Sequence, residues 1–168
     1  MRKGFTLIEL LIAISILSIL MIALYKAYDA LNISNEIYKK KSASIKSLEL
    51  KKRTIYLDFA LSFNGTLKHL DEDSKKDIVT MQSSNSIHKR YNPYITYLIK
   101  DDILYRIESL EKISQYPFAN DVSADIDELG EVNKFKVFKS TKSESYLIDA
   151  RFKDDNNILL KVKVLNEI

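Results

Sequence analysis

The sequence contains no cysteine. That excludes disulfide frameworks, thiolate metal sites and cysteine nucleophiles together, and a chain without thiols is safe in either redox environment. Glycine occurs three times, at positions 4, 65 and 130, and proline twice. Three scattered glycines cannot form a phosphate-cradling loop, and so few breakers predict long uninterrupted elements. His69 and His88 are the only histidines. No Ser-His-Asp spacing accompanies them, so structural or surface roles are expected. No enzyme signature emerges, and the chain is expected not to be an enzyme. A strong net charge is missing as well: 26 basic against 23 acidic residues give +3, and +1 without Arg2 and Lys3. A strongly basic nucleic-acid surface is therefore not supported by net charge.

What the sequence has in quantity is one apolar run. Residues 5–24 contain no Gly or Pro, and only Thr6, Glu9, Ser15 and Ser18 interrupt them. As a helix, about 20 residues at about 1.5 Å each span roughly 30 Å, the thickness of a bilayer core. Arg2 and Lys3 precede the run and Lys26 follows it. The positive-inside rule then keeps the N-terminus cytoplasmic and exports the rest. A secretory signal would have a shorter apolar core and a small-residue cleavage site. A plain anchor leaves Gly4 and Glu9 unexplained, because a carboxylate at full membrane depth costs about 2.5–3.5 kcal/mol or more. Glu9 one turn into a helix also complements the helix dipole, worth about 0.3–1 kcal/mol.

The stretch Gly4-Phe5-Thr6-Leu7-Ile8-Glu9 resembles the processing site of type IV pilins and of the pilin-like subunits of type II secretion systems. The resemblance implies cleavage between Gly4 and Phe5 by a prepilin peptidase and methylation of the new N-terminus at Phe5. It places the family's assembly glutamate on Glu9, which pairs with the N-terminal amine of a neighbouring subunit as the filament forms. A paired charge in an apolar bundle is far better than an unpaired one. The implied partners are the prepilin peptidase, other pilins or pseudopilins through the N-terminal helix, and an inner-membrane assembly platform. The implied location is the bacterial inner membrane, with a periplasmic head, and then a pilus or pseudopilus.

No Gly or Pro occurs between Gly4 and Gly65, and Leu24, Tyr28, Leu31, Tyr38, Ile45, Leu48, Ile55 and Phe59 recur at helical spacing. One helix from about Phe5 to Leu61 is predicted, its second half packing that stripe on a globular head. Residues 71–77, DEDSKKD, read as a charged loop or short helix. Residues 94–99 and 103–107 flank Lys100-Asp101-Asp102 as a hairpin. Residues 135–138, 145–152 and 158–164 read as further strands, with a turn at 154–157. The fold class is α+β: a long N-terminal helix packed on an antiparallel β-sheet head, as in pilins. The expected divisions are a leader (1–4), a transmembrane or filament-core helix (5–24), an amphipathic continuation (25–64) and a β-rich head (65–168).

Leu57-Asp58 and the run Tyr97-Leu98-Ile99-Lys100-Asp101-Asp102-Ile103-Leu104-Tyr105-Arg106 resemble the helix end and hairpin of minor, J-type pseudopilins. The absence of cysteine and of a helix-bending proline near Tyr25-Lys26-Ala27 departs from many major pilins and points the same way. Major pseudopilins hold calcium in a C-terminal loop. The acidic stretch with Asp121, Asp125 and Asp127 offers oxygen ligands for Ca2+, set against a solvated loop. Lys39-Lys40-Lys41 and Lys51-Lys52-Arg53 suit DNA phosphates in a DNA-uptake filament, set against a solvated helix face. The expected function is a minor pilin or pseudopilin subunit, the alternatives being a competence filament and a membrane-anchored binding protein that does not polymerise.

Overall fold

The computed structural model of the chain describes residues 6–117, 123–154 and 156–166. A single helix, α1 (Leu7–Ala60), is followed by seven strands: β1 (Lys68–Glu72), β2 (Asp77–Gln82), β3 (Tyr94–Lys100), β4 (Ile103–Ser109), β5 (Ala124–Lys139), β6 (Ser145–Phe152) and β7 (Asn157–Lys163). The helix runs 54 residues because nothing in it breaks a backbone hydrogen bond. It stops where Leu61 to Asn64 turn and Gly65 adopts a φ of +72°.

The chain divides into two compact units, residues 1–47 and 48–168. Over its described residues the first is helix from Leu7 onward, with its large apolar side chains exposed. The second is the head, to which α1 contributes Leu48, Ile55, Phe59 and Ala60. The predicted stripe therefore enters the head core only from Leu48 onward; Tyr28, Leu31, Tyr38 and Ile45 belong to the first unit and are exposed.

All seven strands pair antiparallel with their sequence neighbours, in the order β1-β2-β3-β4-β5-β6-β7. The sheet curls: beyond the β1–β2 turn, Lys76 bridges Phe135 of β5, and buried Asp77 accepts the Val137 amide and the Lys136 ammonium. Two apolar clusters result. The main one joins the end of α1 to inward residues of β2–β7, centred on Phe59, Tyr97, Phe135 and Ile148. A smaller one, Ile78, Leu98, Ile107 and Ile113, covers the opposite face of β2–β4. Covering both faces explains why β2 and β3 are buried almost throughout.

The helix, the β3–β4 hairpin, β6 and β7 lie where the sequence places them. The hairpin loop is Asp101-Asp102, both at positive φ (51° and 61°), the requirement of a two-residue type I′ turn. Two expectations are corrected. Residues 71–77 are neither loop nor helix throughout: Asp71 and Glu72 end β1 and Asp77 opens β2. The acidic stretch is not a solvated loop over its described length, because residues 124–131 form the first half of β5.

Candidate assembly site and the polar core of the head

At the start of α1, Thr6 and Glu9 form a reciprocal pair. The Thr6 amide and hydroxyl both donate to Glu9 Oε2, at 2.9 and 2.8 Å, and the Glu9 amide donates to Thr6 Oγ1 at 3.4 Å. This is a capping box, in which the residue before the helix and the third helical residue satisfy each other's free amides. Its sequence signal, Thr-x-x-Glu, stands in Thr6-Leu7-Ile8-Glu9, beside the motif position and charge that single out Glu9. The two serines of the apolar run are satisfied one turn back: Ser15 donates to the Leu11 carbonyl and Ser18 to that of Ile14, both at 2.9 Å. Such back-bonding leaves no bare hydroxyl on an apolar helix. The helix is long and apolar enough to cross a membrane. Gly4 and Phe5, the expected cleavage and methylation positions, lie outside the described residues.

Residues 1–25 match a family model described as the prokaryotic N-terminal methylation motif. The N-terminal segment is thus similar to that of type IV pilin-like proteins. The motif is that of proteins methylated at their N-terminus, and with the apolar helix it accords with membrane anchoring. No curated protein and no solved structure matches the chain.

The head holds a buried polar cluster at the end of its helix. Asp58, Arg106 and Glu108 are each fully buried. Arg106 grips Asp58 with two bonds, from Nε at 2.7 Å and Nη2 at 3.1 Å. Asp58 also accepts the Tyr97 hydroxyl at 2.6 Å and the Asn85 amide at 2.7 Å. The remaining guanidinium nitrogen donates to Glu108 at 2.8 Å and to Asp127 at 3.2 Å. Glu108 in turn holds the 83–93 connection, accepting the Ser86 hydroxyl and the Ile87 amide.

Burial opposes the Arg106 charge, but the bonds to Asp58 and Glu108 outweigh it and raise its pKa further. Burial likewise pushes Glu108 up, and the bonds from Ser86, Arg106 and the Ile87 amide bring it net below the usual carboxylate range. Burial, then the Asp58 charge, drive the Tyr97 hydroxyl well above its ordinary value. The cluster is thus an ionised pair and its neighbours, taken out of water and closed on themselves. It ties α1 to β3, β4 and β5 and fixes the loop that follows β2. Asp58, Tyr97 and Arg106 were marked by the hairpin resemblance. Asn85, Ser86 and Glu108 were not, since their roles depend on a partner dozens of residues away.

Of the calcium candidates, Asp121 lies outside the described residues. Asp125 is held by Arg90 at 2.7 Å and Asp127 by His88 at 3.0 Å and by Arg106. Among the described residues no group of three or more metal-ligating side chains converges. His69 sits 3.1 Å from Glu72.

Proposed function

We propose that the protein is a minor pilin or pseudopilin subunit. A prepilin peptidase cuts it between Gly4 and Phe5, Phe5 is methylated, and an inner-membrane platform feeds it into a periplasmic filament at or near the tip. The observation that carries this reading is the methylation motif over residues 1–25 with Glu9 placed in a helix of membrane length. The head has no part in chemistry on this reading: its buried charges are paired with each other, as a rigid mount at the end of the helix. The missing cysteine and unbroken helix favour a minor subunit over a major adhesive pilin.

Cutting after Gly4 frees an amine on Phe5, adjacent to the Thr6–Glu9 box. Among the described residues Glu9 is bonded to Thr6, within its own chain. In a filament it gains the cationic amine of a neighbour, which turns a buried carboxylate from a cost into a register contact. Glu9→Ala is therefore expected to insert and to be processed, yet to be absent from sheared filament fractions. An anchored binding protein that never polymerises would leave membrane levels and activity of Glu9→Ala unchanged, and recovery of the variant in filaments at parental level contradicts the proposal. A competence filament is separated from a secretion filament by the deletion phenotype: lost transformation against accumulated periplasmic enzymes.

A further inference from the structure

The middle of α1 carries a charge pattern that the membrane run and the head do not explain. Between Glu36 and Glu49 there is no acidic residue, and Lys39, Lys40, Lys41 and Lys46 give the interval a formal +4. All four are exposed. At about 100° per residue they point to every side of the helix: Lys41 lies among exposed Ile37, Tyr38 and Ile45, Lys39 and Lys46 lie opposite, and Lys40 lies between. A shallow groove runs past Tyr38, Lys41 and Ile45. The surface is therefore apolar and cationic at once. A merely solvated face does not need three exposed large apolar side chains at helical spacing.

We propose that residues 37–46 dock against an acidic, partly apolar helical segment of a different subunit, and that they reject a second copy of this chain. The inference rests on the filament reading and names its neighbour by charge. Two copies in register would set four ammonium groups against four. Sliding one copy by about ten residues brings only Asp29 and Glu36 opposite, two carboxylates against four cations. Like charges in close apposition suppress wrong partners, and complementary ones select the right one. The apolar residues within the ring favour a protein helix over nucleic acid, which offers phosphates but no matching aliphatic surface.

The test uses the full chain in its native membrane. Because the chain has no cysteine, Ser44→Cys gives a single thiol inside the segment for a photoactivatable benzophenone. The expected adduct is with a different protein, at a peptide rich in Asp or Glu. Replacing the four lysines by Gln lowers that adduct at least fivefold, whereas replacing them by Arg retains it. Exchanging charges on both sides, Glu here and Lys in the partner peptide, restores it. Adducts mainly with a second copy, adducts with nucleic acid, no adduct, or an adduct indifferent to the Gln replacements each overturn the proposal. Intact mass of the same samples reads N-terminal processing separately. A processed chain without the adduct defeats the docking inference alone, and an unprocessed chain with it defeats the filament reading.

Discussion

At the residue scale the decisive contact in the head is Arg106 on Asp58. Both are fully buried, and each is the other's main counter-charge. Removing one partner of such a pair strands a charge away from water, at about 3–5 kcal/mol. Asp58→Ala and Arg106→Ala are each expected to lower head stability by about that amount, read from urea unfolding of the full chain in detergent. The double variant is expected to lose clearly less than the two losses added, because Asp58 and Arg106 no longer strand each other and Glu108 alone is left without its partner. Losses below about 1 kcal/mol for both single variants would mean that water reaches the pair, contrary to the burial that a net cost of this size requires. Thr6 and Glu9 work at the same scale, with local geometry satisfying a helix start before any partner arrives.

At the scale of elements, β5 decides the curl of the sheet. It pairs β4 along its first half and β6 along its second, and its register with β4 slips beside Gly130. Gly130 has a φ of +114°, outside the left-handed well that Asn92, Asp101 and Asp102 tolerate. A Cβ there would also come within 3.1 Å of Lys51 Nζ, which lies over the Phe152 ring. Gly65, at +72°, has open space around it. Gly130→Ala is therefore expected to destabilise by about 1–3 kcal/mol, more than Gly65→Ala, in the same unfolding measurement. Equal effects would place the strain elsewhere.

The same strand shows where sequence reading ends. The helix was legible because Gly and Pro are absent from it, and the β3–β4 hairpin because apolar residues alternate around two turn-forming acids. The first half of β5, Ala-Asp-Ile-Asp-Glu-Leu-Gly-Glu, reads as loop because its carboxylates look solvated. In the fold, Asp125 and Asp127 find Arg90, His88 and Arg106 on other segments. No local pattern announces those partners. β1, largely exposed at the edge of the sheet, has too little apolar alternation to be told from a charged turn.

At the scale of the whole molecule, a membrane-length apolar helix and a head locked around the end of that helix make a subunit whose two parts have separate tasks. On the proposed reading the helix inserts and then packs with others, while the head pairs its buried charges internally. On the proposed reading the N-terminus governs both states, since the same few residues would serve as export anchor, processing site and register contact. The most direct measurement of this account is the intact mass of the protein purified from its native membrane. The account predicts a chain lacking Met1 to Gly4 and carrying one added methyl group at Phe5. A full-length, unmethylated chain from cells with a working prepilin peptidase would contradict it.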